Sequence, residues 1–379
     1  MLKIVVDENI AFAKTAFNQF GNVTLLSGRK ITNAVLKSVD VLIVRSITNV
    51  NEELLKDTKV RFVGTATIGT DHIDLDYLKK NNIAFADAKG CNAYSVAEYV
   101  VSALLNLLVS FDFNLNDKSI GIVGVGNVGS KVAAFAQILG INVLLNDPPL
   151  QRNGDRRNFV DLDEILSADI ITLHTPLNLT GVDKTFHLFD KENINKIKDG
   201  AVLINSSRGA VINHKDLLDV ISKKKLKVVL DVWENEPNIN VNLLQKAIIA
   251  TPHIAGYSME GKVNGTKMIY NSLCDFLSEE KHFSFDLENP PDQIKQFGVT
   301  QKLEASLNSL ISSIYNVKDD DTRMRKTITM NESERILEFD LQRKNYPNRR
   351  EFNNYTVKSD NLSKEIKNIL KILRFNLVT

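Results

Sequence analysis

SIGIVGVGNVGSKVAAFAQILG, residues 119–140, decides the fold. It begins as a short apolar strand, passes through Gly124-x-Gly126-x-x-Gly129 and continues into an alanine-rich helix. The next apolar run, NVLLND, ends in Asp147, 18 residues past Gly129. This is the strand–turn–helix–strand context that a dinucleotide loop needs. The first glycine permits the tight turn, the second lets the backbone approach a pyrophosphate, and the third lets helix and strand pack closely. The helix N-terminus then faces the anion. A carboxylate at 147 suits the ribose hydroxyls and repels a 2′-phosphate, which favours NAD over NADP; Arg152 nearby argues weakly the other way. A glycine-rich turn with no ligand is the bland alternative.

Outward from this loop, short apolar runs alternate with helical patterns through about residue 255. They are KIVV, VTLL, VLIV, VRFVG, SIGIVG, NVLLND, ADIITLHT, AVLINSS, KVVLDVW and AIIATPH. The runs are continuous rather than alternating, as in strands covered on both faces of a parallel sheet. The runs are too many for one sheet. VDVLIVRSITN (39–49) also resembles ADIITLHTPLN (168–178), which hints at duplication. The expectation is an α/β chain of two doubly wound parallel-sheet domains plus a small C-terminal α+β domain. Residues 1–93, completed by about 258–286, form the first. Residues 94–257 form the second, and 287–379 the third. The second starts in an amphipathic helix over about 94–108, which Asn92 can cap. In the third, Leu303, Leu307, Leu310, Ile311 and Ile314 make one helical stripe, and a last helix covers about 362–373. So small a piece needs a partner surface for such stripes, which points to a homodimer.

Composition bounds the function. A net charge of +1 over 379 residues gives no reason to expect nucleic acid or an anionic membrane as partner. The N-terminus lacks the plan of a signal peptide, and no stretch reads as a bilayer span of roughly 20 apolar residues. With only two cysteines, Cys91 and Cys274, the chain reads as cytoplasmic.

Three motifs sit just past predicted parallel strands, the edge where open α/β sheets bind ligands. INSSRGAVI places Arg208 after one strand, LDVWENEP places Asp231 and Glu236 after the next, and TPHIAGYS places His253 after the last. Such a set suits hydride chemistry on a 2-hydroxy acid. Arg208 grips the substrate carboxylate or oxo group, His253 takes the hydroxyl proton, and Glu236 holds the other imidazole nitrogen and fixes its tautomer. Singly, each residue has a structural explanation: a surface charge, a solvated acid, a satisfied histidine. Together, in this order behind a dinucleotide loop, they favour chemistry. His72, His174, His187, His214 and His282 show no such partner set and no metal-ligand spacing, so no catalytic metal is expected.

These motifs, in this order, resemble the D-2-hydroxyacid dehydrogenase family over about residues 1–285. The resemblance implies an NAD-dependent dehydrogenase with Arg208 and Glu236 in the active site and His253 as acid/base. GTATIGTDHID, CNAYSVAEYV, the tyrosine of TPHIAGYS and RKNYPNRREF resemble one branch of that family. That branch oxidises 4-phospho-D-erythronate to 2-oxo-3-hydroxy-4-phosphobutanoate in pyridoxal phosphate (vitamin B6) synthesis, and it carries an extra dimerisation domain. This narrower resemblance implies substrate contacts at Ser46, Thr67 and Tyr257. It implies NAD contacts at Asn127, Val128, Asp147, Thr175, Ser206, Ser207, Arg208, Asp231 and Gly256. Arg45, beside Ser46, is a further candidate for the anionic substrate. Two readings stay open beside it: a phosphoglycerate or other D-2-hydroxyacid dehydrogenase, and an NAD-sensing binding protein of the co-repressor type.

Overall fold

The computed structural model describes residues 1–111, 114–284 and 287–378. Residues 285 and 286, the expected end of the first domain's returning segment, and the C-terminal residue 379 lie outside it. Two compact units emerge, Met1–Asn92 with Ser258–Glu288, and Ala93–Tyr257 with Asn289–Thr379.

The first unit carries β1 (Leu2–Asp7), β2 (Gly21–Leu26), β3 (Val41–Val44), β4 (Phe62–Thr65) and β5 (Ala84–Asp87). All pair in parallel, in the order β2-β1-β3-β4-β5, the flavodoxin-like winding. Helix Met259–Leu277 belongs to this unit and starts where Ser258 Oγ accepts the Gly261 N–H at 2.8 Å. Its Ile269, Tyr270, Leu273 and Cys274 pack on Ile4, Val6, Val41 and Ile43. Sequence patterning did not reveal β5, whose AFAD is short and mostly half-buried.

The second unit carries β6 (Ser119–Val123), β7 (Asn142–Asn146), β8 (Ile170–Leu173), β9 (Val202–Asn205), β10 (Lys227–Leu230) and β11 (Ile249–Ala250). They too are parallel, in the order β11-β10-β9-β8-β6-β7. An isolated parallel bridge from Leu145 to Phe159 extends the β7 edge. β3 and β8, the two runs that look alike in sequence, occupy equivalent places. Each lies beside the first strand of its sheet, on the side away from the second. Between β6 and β8 the winding reverses, which creates the crevice that takes nucleotides in such sheets.

Helix Ala93–Phe111 bears on two expectations. By length and composition it could cross a membrane, yet 78 % of its apolar window is buried inside the fold. It is a core helix, packed with helices Gly129–Ile138 and Leu303–Ser312 in one apolar cluster. Asn92 does not cap it: the Asn92 Oδ1 is buried with no hydrogen-bond partner among the described residues.

The C-terminal segment adds β12 (Ile294–Gln296), β13 (Thr356–Lys358) and β14 (Asn376–Val378), a small parallel sheet, and helices including Val317–Arg325, Glu332–Lys344 and Lys364–Ile372. Leu307, Leu310 and Ile311 of the predicted stripe are buried in the same cluster as the core helix. The cover the stripe needs comes from its own chain, so the stripe is no argument for a second subunit. The junction is also polar. The Asp321 carboxylate accepts the Ala250 N–H at 2.8 Å, and Arg325 donates to the carbonyls of Leu244, Ala247 and Ile248.

Candidate active site

One edge of the six-stranded sheet, where its strands end, carries a candidate residue past every strand. Across β7-β6-β8-β9-β10-β11 these are Asp147, the glycine loop, Thr175, Ser206–Arg208, Asp231 with Glu236, and His253.

The loop has the geometry its glycines promise. Gly124 takes φ +84°, and a Cβ there would lie 2.7 Å from the His174 carbonyl oxygen across the switch point. A Cβ on Gly129 would strike the Gly124 carbonyl. At Gly126 nothing lies within 4 Å, so an anion can reach the backbone. Asp147 Oδ2 accepts the Val125 N–H at 2.7 Å and Oδ1 caps the next short helix, so the acid also fixes the loop. Arg152 is engaged by the Asp183 carboxylate at 2.5 Å, which removes it as a counter-argument to NAD. A cavity of about 540 Å3 opens beside Gly124, Gly126, Asp147, Pro148, Thr175 and Pro176. Thr175 Oγ1 and Ser206 Oγ are buried without a partner among the described residues. Buried hydroxyls are seldom left so, and these two fit the polar contacts of a dinucleotide. Asn127 is exposed and Val128 half-buried at the start of the helix.

At the other end of the edge, His253 Nδ1 lies 2.7 Å from Glu236 Oε2. Glu236 Oε1 accepts the Trp233 N–H, also at 2.7 Å. Burial alone would raise the Glu236 pKa. The His253 charge and hydrogen bond, the Trp233 N–H and the Arg343 guanidinium outweigh it and hold the carboxyl below its ordinary value. An ionised carboxylate only accepts, so the proton between the pair sits on Nδ1. Nε2 of His253 then carries the lone pair, and no described residue bonds it. The histidine takes φ +58°, a left-handed conformation costly for a residue with a Cβ. It is held there by its own N–H on the Asp231 carbonyl at 2.7 Å.

Asp231 is 1 % exposed. Its carboxylate accepts from Thr251 Oγ1 and the N–H groups of Ile254 and Ala255. It therefore braces the turn that bears His253 and Gly256. Burial raises its pKa above the ordinary value against those bonds and the His253 charge. Arg208 donates to the Ser207 carbonyl and stands half-buried. The next residue, Gly209, packs so closely that a Cβ would overlap the Trp233 carbonyl carbon. That contact locks the Arg208 turn to the Glu236 loop. Ser207 donates to Asn205 Oδ1, a bond internal to the turn.

Tyr257 follows, its ring edge-on to Tyr346 at 5.8 Å. Within the first unit, Ser46 is exposed just past β3, beside half-buried Arg45. Thr67 lies just past β4, where its hydroxyl donates to the Gly69 carbonyl and shares a bond with Thr65.

Two other histidines also meet a carboxylate. His187 Nε2 lies 2.6 Å from Glu234 Oε1, and His282 pairs with Glu280 at 3.0 Å. The His187 pair still differs from His253. Its Nδ1 meets Asn213 at 3.4 Å, so both ring nitrogens face protein groups. His282 is largely exposed. Sequence reasoning also missed the Trp233 N–H, a backbone group with no signature, and Arg343, which lies far from the other motifs.

A cofactor cradle and an imidazole–carboxylate pair on one sheet edge define a nicotinamide-dependent dehydrogenase. Residues 108–255 match the family described as D-isomer specific 2-hydroxyacid dehydrogenase, NAD binding domain. Residues 289–372 match a domain of unknown function. The chain is 45 % identical to the erythronate-4-phosphate dehydrogenase of Escherichia coli O127:H6, over 100 % of this chain and 99 % of that one. The enzyme of the same name from Proteus mirabilis is also 45 % identical, over 95 % and 96 %. A D-lactate dehydrogenase of Aquifex aeolicus, solved with NAD and lactic acid, superposes with a TM-score of 0.59 at 25 % identity, over 73 % of this chain and 96 % of its own. The chain belongs to the erythronate-4-phosphate dehydrogenase family, a branch of the D-isomer specific 2-hydroxyacid dehydrogenases, and is an NAD-dependent oxidoreductase.

Proposed function

We propose that this chain oxidises 4-phospho-D-erythronate to 2-oxo-3-hydroxy-4-phosphobutanoate, in the synthesis of pyridoxal phosphate. One observation carries the chemistry: His253 offers Nε2 while Glu236 fixes Nδ1 at 2.7 Å. The substrate follows from the full-length likeness to enzymes of that name.

Arg208 holds the substrate carboxylate through its planar fork. His253 Nε2 takes the C2 hydroxyl proton, and the C2 carbon becomes a carbonyl as its hydrogen leaves with the electron pair. NAD, when bound, supplies the acceptor for that hydride. Glu236 stabilises the imidazolium that forms, and Asp231 keeps its turn in place. NAD contacts fall to Asn127, Val128, Asp147, Thr175, Ser206–Arg208, Asp231 and Gly256. Substrate contacts fall to Ser46, Thr67 and Tyr257. Residues 1–93 with 258–286 serve as substrate-binding domain, 94–257 as NAD-binding domain and 287–379 as dimerisation domain of a cytoplasmic homodimer. Leu337 and Leu341, one turn apart on helix Glu332–Lys344 and 60 % and 37 % exposed, are candidates for that interface.

The test is NADH formation from 4-phospho-D-erythronate and from 3-phosphoglycerate, side by side. A clear preference for the first supports the assignment. Equal or better use of 3-phosphoglycerate overturns the substrate, and tight NAD binding with no turnover of any 2-hydroxy acid overturns the enzyme. A monomer on gel filtration overturns the dimer.

A further inference from the structure

We infer that Arg343, with Tyr257, holds the substrate's phosphate and sets the preference for a phosphorylated acid. This inference rests on the function proposed above. Arg343 lies near the end of helix Glu332–Lys344, one turn past Phe339, which is fully buried. It shares that inward face, and its guanidinium lies 5.9 Å from the Phe339 ring centre and 6.0 Å from that of Tyr257. It hydrogen-bonds the Tyr257 side chain, and its charge reaches Glu236, the carboxylate behind His253. The cation thus stands within electrostatic reach of the reacting centre, although the sequence places it 107 residues beyond Glu236.

Its hydrogen-bond donors are not all met by protein. Nε is buried with no partner among the described residues. The ion pair with Asp340 is 3.9 Å long, beyond hydrogen-bond reach. Glu236 has both oxygens committed to His253 and Trp233. A guanidinium only 18 % exposed and so incompletely paired is costly unless an anion completes it. Its planar donors match phosphate oxygens two at a time.

The substrate has two anionic ends, one on each side of the reacting carbon. Arg208 belongs to the NAD-binding fold that this chain shares with a D-lactate dehydrogenase. Lactate has a carboxylate and no phosphate, so Arg208 serves the carboxylate. Arg343 lies in the C-terminal segment, matched by a separate domain. The lactate enzyme, matched over 96 % of its own length, covers only 73 % of this chain. The added segment brings the added cation.

The experiment compares Arg343→Met, Arg343→Lys and Tyr257→Phe with the unaltered protein, using 4-phospho-D-erythronate and unphosphorylated D-erythronate. The readout is the ratio of kcat/KM for the two acids. Arg343→Met is expected to lower that ratio roughly 100-fold, the worth of two charge-assisted hydrogen bonds. Arg343→Lys and Tyr257→Phe, which preserve charge or bulk, are expected to lower it by roughly 10-fold. An unchanged ratio overturns the inference, even where both activities fall, because support of Glu236 or of the fold affects both acids alike. A second readout is free of turnover: inorganic phosphate binding to the NADH-loaded chain, followed by NADH fluorescence. Phosphate binding that Arg343→Met weakens at least tenfold supports the site even if 4-phospho-D-erythronate proves not to be a substrate. Phosphate affinity that Arg343→Met leaves unaltered removes it.

Discussion

Replacing Glu236 with glutamine tests the heart of the site without changing its volume. The carboxylate accepts two hydrogen bonds, from Trp233 N–H and from His253 Nδ1–H, each 2.7 Å. An amide has one accepting oxygen and one NH2, and both neighbours donate, so glutamine cannot serve both. If its oxygen stays on His253, the Trp233 N–H faces an NH2 group, at a cost of about 1–3 kcal/mol for an unmet buried donor. If its oxygen turns to Trp233, the NH2 donates to Nδ1 and the ring proton moves to Nε2. That tautomer keeps every bond but cannot accept the substrate's proton. The competent tautomer is then disfavoured by about 1–3 kcal/mol, roughly 5- to 150-fold. The imidazolium also exchanges a charge-assisted bond for a neutral one, worth about 1–2 kcal/mol more. Together kcat is expected to fall roughly thirty to a few thousand fold, with NAD affinity and melting temperature nearly unchanged. The analogous aspartate-to-asparagine change behind the histidine of serine proteases acts through the wrong tautomer and costs about ten-thousand-fold. The assay is NADH absorbance under saturating substrate, with NAD affinity from fluorescence titration. A Glu236→Gln chain whose kcat stays within about fivefold of the original would show that Glu236 does not set the tautomer, and the mechanism above would fall.

His253→Ala should lower kcat by roughly two to four powers of ten while NAD still binds; activity retained within a few-fold would assign the proton to another group. Gly129→Ala forces a methyl into the Gly124 carbonyl, so NAD affinity should fall at least tenfold, and an unchanged titration would refute the close packing of that loop. Deleting residues 289–379 should leave an aggregating or molten chain rather than a folded monomer, because Leu307, Leu310, Ile311 and Phe352 then no longer cover the core helix. A soluble truncated chain with a sharp thermal transition at the original temperature would contradict this. Burial pushes the pKa of His174 down to about 3 and of His214 to about 4, so both are neutral in the folded chain. Only the unfolded chain takes up their protons as pH falls below about 6.5, so stability present above that value drains away towards pH about 4 and below. Melting temperature against pH should show this acid loss, and His214→Asn should flatten it; an identical slope in the variant would exclude His214 as a source.

Much of the site is legible in sequence because its signals are local. A glycine's freedom and an acid at a strand end each act within a few residues, and parallel strands gather their ends on one edge. Legibility ends where a choice depends on what comes within reach. DVWENEP offers Glu234 and Glu236 two residues apart, and the structure pairs one with His187 and the other with His253. Spacing alone cannot assign those partners, because a reversal of the loop between them decides which carboxylate meets which ring. The leucine stripe from Leu303 shows the same limit: a 3.6-residue period reports that a face is covered but never by what. Here the cover is the core helix of the same unit. Arg343 extends the point to chemistry. In RKNYPNRREF it reads as one charge in a basic run, and only its place a turn after buried Phe339 turns it inward to Tyr257. The segment that reads in sequence as a dimerisation module therefore also delivers a cation to the reacting centre, and the two roles are separable, because Leu337 and Leu341 face solvent while Arg343 faces in. A charge placed at Leu337 should then disturb assembly and leave the preference for a phosphorylated acid intact, whereas Arg343→Met should do the reverse.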